Sequence, residues 1–414
     1  MAHNSSEKAL DPTFDLSWYR WWSVEQIRKQ PEYLLLSLPR PRADEGIDAA
    51  IHIIWDQIRK AVLAPGPKSI DSITDMLIYY EFVDIQGSYE ATLSVKDLVF
   101  AIVGFQTMLY KPYFDPSAPG GYRILDEMSG YHGTSRMSLC QSSDAGTKTL
   151  PEFLLGFGVM LPQPNYCACE NEDDRQLFHQ IKTTTPSDID AHVLSRLCGV
   201  RFQWVDSLSC HLELDKQSNT LYIYRYPSFC VSCLQQQVPR NGVEECQKSS
   251  LHSCACERTG QLPWASEEDV NGLLQEILLS YRVIFAQNKR SRAIFRKLRP
   301  FASIPKQGRD QCLAKICGKK RFDCPSMPIE REEYDLAIHF PHLRNKFAQL
   351  SGYASSRKPR SVRRLWKDRR DSPAWLAYWS ALIFSLVRLL LVLIQAVFQI
   401  LQYVDQVQQS SNRI

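Results

Sequence analysis

The sequence has no apolar stretch near its start, no familiar catalytic signature and no internal repeat, and each gap removes a class of protein. Met1 to Asp11 is polar and mixed in charge, without the apolar core that a signal peptide requires. The chain is therefore expected to stay in a reducing compartment. Its thirteen cysteines would read as disulfides in a secreted domain, but here they read as buried thiols or metal ligands. Gly-x-Ser-x-Gly, His-Glu-x-x-His and a phosphate-cradling Gly-rich loop ahead of a helix are all missing. Gly156-Phe-Gly158 comes nearest, and it lacks the third glycine of a dinucleotide turn. His211 beside Cys210, and His192 near Asp188 and Asp190, have no third group placed by the sequence, as a nucleophile and base would need. The expectation is that the chain is not an enzyme, with no catalytic residue and no cofactor site. No repeat of solenoid length occurs either.

Nucleic-acid binding finds little support. The formal net charge of +4 comes from 49 Lys and Arg against 45 Asp and Glu. Eight of those cations lie in one short run, Arg357, Lys358, Arg360, Arg363, Arg364, Lys367, Arg369 and Arg370, against one Asp. No helix or strand elsewhere reads as a basic face interleaved with aromatics.

What is present is ordinary globular composition, 44% hydrophobic and 23% charged over 414 residues, enough for one large domain or two. Residues 1–43 are expected to begin disordered and then carry an aromatic cluster, Trp18, Tyr19, Trp21 and Trp22, covering a core edge. Residues 44–110 read as helical. Ile47, Ile51, Ile54, Trp55, Ile58 and Val62 recur at helical steps up to Ala64-Pro65-Gly66-Pro67. A second helix fits Ile70 to Phe82, and a third is expected to start at Ser94 as N-cap and run through Leu98-Val99-Phe100-Ala101-Ile102-Val103. That last run is too short to span a bilayer and reads as a core helix. Residues 111–150, rich in Gly, Ser, Pro and Asp, read as a loop or disordered segment dividing the chain.

Residues 151–350 read as an α+β region. His211 to Asp215 and Thr220 to Tyr226 alternate around Lys216-Gln217-Ser218-Asn219, predicting a β-hairpin, with a further strand at Val200 to Val205. Ser266, followed by Glu267, Glu268 and Asp269, should cap a long helix whose apolar face is Leu273, Leu274, Ile277, Leu278, Tyr281, Ile284 and Phe285. Between these lie Cys230-Val-Ser-Cys233, Cys246 and His252-Ser-Cys254-Ala-Cys256. Cys230 and Cys233 on a hairpin lip, with Cys254 and Cys256, could wrap one tetrahedral zinc, although Cys-x-Cys is the less usual ligand spacing. Buried free thiols are the competing reading. Cys167-Ala-Cys169-Glu170 echoes Cys254-Ala-Cys256-Glu257 and suggests a second pair that could meet it.

One long apolar run remains. Residues 351–373 form a basic juxtamembrane linker, 374–404 a transmembrane helix and 405–414 a short tail. Ser372 reads as N-cap and Pro373 as the first helical residue. From Ala374 to Val404 the single charge is Arg388, and neither Gly nor Pro intervenes. Such a helix exceeds the ~30 Å hydrocarbon core, so it fits one span. Trp375, Tyr378 and Trp379 suit an interface, and the basic run beside them should stay cytosolic and attract anionic headgroups. The expected topology is a tail anchor with its large N-terminal part in the cytosol. Arg388, Gln395, Gln399, Gln402 and Gln406 share one helix face, which suggests self-association, or else snorkelling or an interfacial lie.

Ser207-Leu-Ser-Cys-His-Leu212, Leu221-Tyr-Ile-Tyr-Arg-Tyr-Pro-Ser-Phe-Cys230, Glu332-Glu-Tyr-Asp-Leu336 and Trp366-Lys-Asp-Arg-Arg-Asp-Ser-Pro-Ala-Trp375 resemble a family of uncharacterised filamentous-fungal membrane proteins. The likeness covers about Thr185 to Val404. It implies a cytosolic α/β part followed by a transmembrane helix, and no activity or site residues; Arg388 stands where a small or apolar residue would be expected. The sequence thus predicts a mainly helical α+β protein with a small antiparallel hairpin region and one C-terminal transmembrane helix. The role expected is that of a membrane-anchored interaction or scaffold protein with an unidentified cytosolic partner. The alternatives are a zinc- or thiol-dependent regulatory module and an enzyme of unrecognised type.

Overall fold

Apolar residues at three- and four-residue steps dominate the first third of the chain, and the structure turns them into helices. The computed structural model describes residues 16–39, 46–83, 89–114, 121–130, 138–159, 162–167, 169, 171–236, 249–256, 266–322, 324, 327–357 and 372–411. Helix α1 (Ser17–Arg28) and the short α2 (Glu32–Leu35) precede α3 (Ile47–Leu63), α4 (Ile70–Tyr79) and α5 (Tyr89–Thr107). Helix α3 buries Ile51, Ile54, Ile58 and Val62 as its period requires, while Ile47 stands exposed. The box between Ser69 and Ser72 starts α4. That helix stops short of Phe82 because Glu81 turns left-handed, φ 59°, and the Phe82 amide closes onto the Leu77 carbonyl at 2.9 Å.

Helix α5 corrects the expected start. It begins at Tyr89, and Ser94, far from capping it, lies inside with its hydroxyl donating to the Glu90 carbonyl at 3.0 Å. Leu98 to Val103 are fully buried, as a core helix requires.

The described residues of 111–150 include regular structure. Strands β1 (Gly121–Arg123) and β2 (Cys140–Ser142) pair antiparallel, Gly121 opposite Ser142. A side chain at Gly121 would meet the Gln141 carbonyl at 2.7 Å, so glycine here permits close strand approach. Helices α6 (Leu150–Gly156) and α7 (Glu172–Gln180), strand β3 (Thr183–Thr184) and helix α8 (Pro186–Ile189) follow.

The expected hairpin is present but small. Strand β5 (Leu214–Asp215) pairs antiparallel with β6 (Thr220–Tyr224) over two residue pairs. On its other edge β6 pairs in parallel with β4 (Arg201–Val205), Arg201 opposite Thr220 through Val205 opposite Tyr224. Every residue of β6 is buried, as suits the middle strand of a covered sheet.

Helices α9 (Pro227–Gln236), α10 (Ser250–Ala255) and α11 (Glu267–Tyr281) come next. Ser266 caps α11 in a box with Asp269, as predicted, and a π-helical turn, Arg282–Ala286, carries the chain on. Then come α12 (Lys289–Leu298), α13 (Gln311–Gly318), β7 (Tyr334–Asp335), which pairs with β3, α14 (Leu336–His339) and α15 (Arg344–Ser356). Helix α16 (Ser372–Ser411) is last and runs unbroken through 40 residues, beyond the boundary expected at 404.

The chain divides into two compact units, Met1–Ser356 and Arg357–Ile414. The first runs straight across 111–150. Helix α10, from the cysteine-rich segment, packs on α3, α5 and α6, while α11 packs on α9, α10 and α13, so early and late helices share one core. Trp18 belongs to that core rather than its edge. It stacks on Tyr226 with ring centroids 4.3 Å apart, and its indole donates to the Ser228 hydroxyl at 2.8 Å.

Candidate functional site

The C-terminal helix is the feature with the plainest physical meaning. Leu376–Asp405 is long and apolar enough to cross a membrane, and Leu386, Leu389, Leu390, Leu391, Leu393, Val397, Phe398, Ile400 and Leu401 along it are exposed. At 1.5 Å per residue the whole of α16 is about 60 Å long, so part of it must leave a ~30 Å hydrocarbon core. The hydroxyls of Ser380 and Ser385 donate to their own helix, to the carbonyls of Ala377 and Ala381 at 2.9 and 2.8 Å, which satisfies them without water. Tyr378 and Trp379 are half-buried neighbours, ring centroids 5.7 Å apart. At 100° per residue, Arg388, Gln395, Gln399 and Gln402 fall within an arc of roughly 60° on this helix. The side chains of Trp375 and Gln406 lie outside the described residues, as do Lys358, Arg360, Arg363, Arg364, Lys367, Arg369 and Arg370; Arg357 is exposed.

Cys230 and Cys233 lie one turn apart on α9, Cys254 lies on α10, and Cys256 follows its end. The hairpin lip assumed for Cys230 and Cys233 is a helix instead, because Pro227 opens one directly after β6. Among the described residues no three His, Cys, Asp or Glu form a set that could hold a metal ion, and Cys246 lies outside them. Burial pushes the Cys230 thiol well up and those of Cys233 and Cys254 up to about 12, so with no metal beside them all three are neutral thiols. Cys167 and Cys169 meet each other rather than the second Cys-Ala-Cys. The Cys169 thiol contacts Cys167 and donates to Asn345 Oδ1 at 3.5 Å.

Other polar groups are locked in place. His211 Nδ1 accepts from the Tyr224 amide at 3.3 Å, which leaves Nε2 as donor to Ser280 Oγ at 2.8 Å; that hydroxyl donates in turn to the Ile277 carbonyl at 2.7 Å. Burial, aided by the nearby Lys346 charge, holds the ring neutral. The pair resembles a base and nucleophile, yet both side chains are fully committed and buried. His192, whose amide donates to Ser291 Oγ at 3.0 Å, is not placed beside it by any of these bonds. Glu276 is also buried. Its two oxygens accept the amides of His342 and Leu343 at 2.8 to 3.1 Å, and burial outweighs those bonds, raising its pKa to about 8.

One surface was missed by the sequence reading. Twelve Lys and Arg fall between Lys289 and Arg321, against one acid, Asp310, which is buried and accepts the amides of Ser228 and Cys312 at 2.8 and 2.7 Å. Lys289, Arg290, Arg296 and Lys297 occupy the exposed arc of α12, whose other side buries Ser291 and Phe295. Helix α13 packs against α12 and exposes Lys315, with Lys319, Lys320 and Arg321 exposed beyond its end. The fully buried Arg282 holds that end, donating to the carbonyls of Ile316, Lys319 and Lys320 at 2.6 to 2.8 Å and to Glu330 at 2.6 Å. The run went unseen because it is spread over two helices and a loop, with Phe295 hidden in the core and Phe301 half-buried.

No protein-family model, no curated protein and no solved structure matches the chain, so the resemblance noted above rests on the quoted segments alone.

Proposed function

We propose that the chain is a single-pass membrane-anchored protein whose folded unit, Met1–Ser356, lies on the cytosolic side and serves as an interaction or scaffold module. The observation that carries this is α16, whose exposed apolar side chains extend over 30 residues. Exposed in water, such a surface is far larger than soluble monomers tolerate. The basic run 357–370 supports the cytosolic placement of the folded unit.

The test compares the full chain with one ending at Ser356. Resistance of the full chain to alkaline carbonate, release of the shortened one into the supernatant, and digestion of an N-terminal tag from the cytosolic side are the results expected. Release of the full chain by carbonate would rule the span out.

A second reading, a thiol-dependent regulatory module on the same anchor, has the contact between Cys167 and Cys169 behind it. Glutathione disulfide should then remove two hydrogens from the peptide holding both cysteines, with two glutathiones released, and leave a C169S chain unable to close the bridge.

A further inference from the structure

We infer that the basic surface of α12, α13 and the segment joining them is a second membrane contact, which lays the folded unit against anionic lipid headgroups. The inference rests on the anchored reading above, since it places the surface on the membrane in which α16 is set. Three features of the structure argue for it.

First, the cations are presented to solvent. Lys289, Arg290, Arg296, Lys297, Arg299, Lys306, Arg309, Lys319, Lys320 and Arg321 are all exposed, and among the described residues none of these ten forms an ion pair with an Asp or Glu of the chain. The acid within this stretch, Asp310, is spent on capping α13 from beneath. Beyond the far end, Glu330 pairs with the buried Arg282, and Asp323 lies outside the described residues. A surface of one sign over two packed helices raises a potential that a sheet of headgroups complements, and at physiological ionic strength it does so within about 8 Å.

Second, the backbone under the patch is held. Arg282 fixes the carbonyls of Lys319 and Lys320, so these side chains project from a clamped segment instead of a loose tail. Third, the tether is short. Fifteen residues lie between Ser356 and Ser372, and even fully extended they reach at most about 55 Å, so the surface stays at high effective concentration over the bilayer.

A nucleic acid would also meet cations. Single strands, however, are held by exposed aromatics on which bases stack; here Phe295 is buried and Phe301 and Phe322 are half-buried. A flat polyanionic sheet needs charge alone.

The test uses the full chain with vesicles of phosphatidylcholine alone or with phosphatidylserine added. A water-soluble amine-acylating reagent is followed by mass spectrometry, taking Lys29, Lys60 and Lys182, exposed and outside the patch, as reference. Acylation of Lys297, Lys306, Lys319 and Lys320 should slow several-fold, relative to the reference, in the anionic vesicles only, and recover at high salt. Reversing three charges, R290E, R296E and K297E, should weaken binding to the anionic surface on the order of a hundredfold, since each cation near it contributes about a factor of five, and so abolish the protection at the remaining lysines. Equal acylation in the two lipids would overturn the inference. Protection by added RNA with none from anionic vesicles would overturn it too, in favour of a nucleic-acid partner. Flotation with neutral vesicles separates the two claims. A chain that fails to float has no inserted anchor, and the lysine protection by preformed anionic vesicles still decides the patch.

Discussion

Arg282 and Glu276 show opposite ways of burying charge. The guanidinium of Arg282 has no exposure and finds a carboxylate and three carbonyls, so four of its five N–H groups are matched. Removing it would orphan those carbonyls and leave Glu330 unpaired. R282M should therefore destabilise the folded unit by about 3 to 5 kcal/mol, read as a lower urea midpoint, and a loss below about 1 kcal/mol would show the clamp to be idle. Glu276 meets two amides but no cation, and burial wins. With a folded pKa of about 8 against an ordinary 4.5, the folded state holds a proton that the unfolded chain gives up. This contribution is fully present below about pH 4.5 and lost as pH rises to about 8, a loss of a few kcal/mol at most. E276Q should flatten that slope; an unchanged slope between pH 5 and 8 would mean that Glu276 is already ionised. Among the described cysteines, Cys140 is exposed and Cys167 and Cys256 half-buried. A thiol reagent should label these three first and the other nine only as the fold opens.

At the scale of elements, α16 poses a conflict that its own residues do not resolve. A guanidinium near the middle of a span costs about 2.5 to 3.5 kcal/mol on insertion scales, and Arg388 lies nine residues, roughly 14 Å, beyond Trp379. The amides of Gln395, Gln399 and Gln402 share its face. An amide both donates and accepts, so a second copy of the helix can satisfy it. The chain carrying Q395L and Q399L should run at a lower oligomeric state in detergent than the native chain. If the two migrate alike, the polar stripe faces headgroups or water instead. Helix α11 is simpler. Its box between Ser266 and Asp269 predicts that S266A costs about 1 kcal/mol.

At the scale of the whole molecule, the folded unit ends at Ser356 and its core closes without the last helix. A chain ending there should unfold at the same midpoint as the full protein in detergent. A large drop would mean that the C-terminal unit stabilises the fold. With twelve Lys and Arg between Lys289 and Arg321 and eight between Arg357 and Arg370, positive charge is unevenly spread along the chain despite a net +4. Association of the folded unit with anionic lipid should accordingly fall steeply with salt.

Periodic and punctuated features were legible in the sequence. The apolar face of α3, the cap of α11, the strand at Val200–Val205 and the unbroken apolar run of α16 each depend on residues close together in the chain, where a 3.6- or 2-residue period or a capping hydroxyl decides the outcome. The start of α5 did not follow from such local cues, and the helix holding Cys230 and Cys233 carried one, Pro227, that the hairpin expectation passed over. In one, packing against the neighbouring helices overrode a capping serine; in the other, a proline opened a helix where a hairpin edge was expected. Long-range geometry decided the rest. Whether cysteines spaced like ligands meet, whether a histidine beside a serine is free to react, and whether scattered lysines share a surface depend on which helices touch. By itself the sequence determined that this protein has one helix fit for a membrane, because length and apolarity along a single segment suffice for that. Only the tertiary structure decided that, among the described residues, no thiols join a set able to hold a metal ion and that cations gather on α12 and α13, because both outcomes depend on contacts between segments remote in sequence.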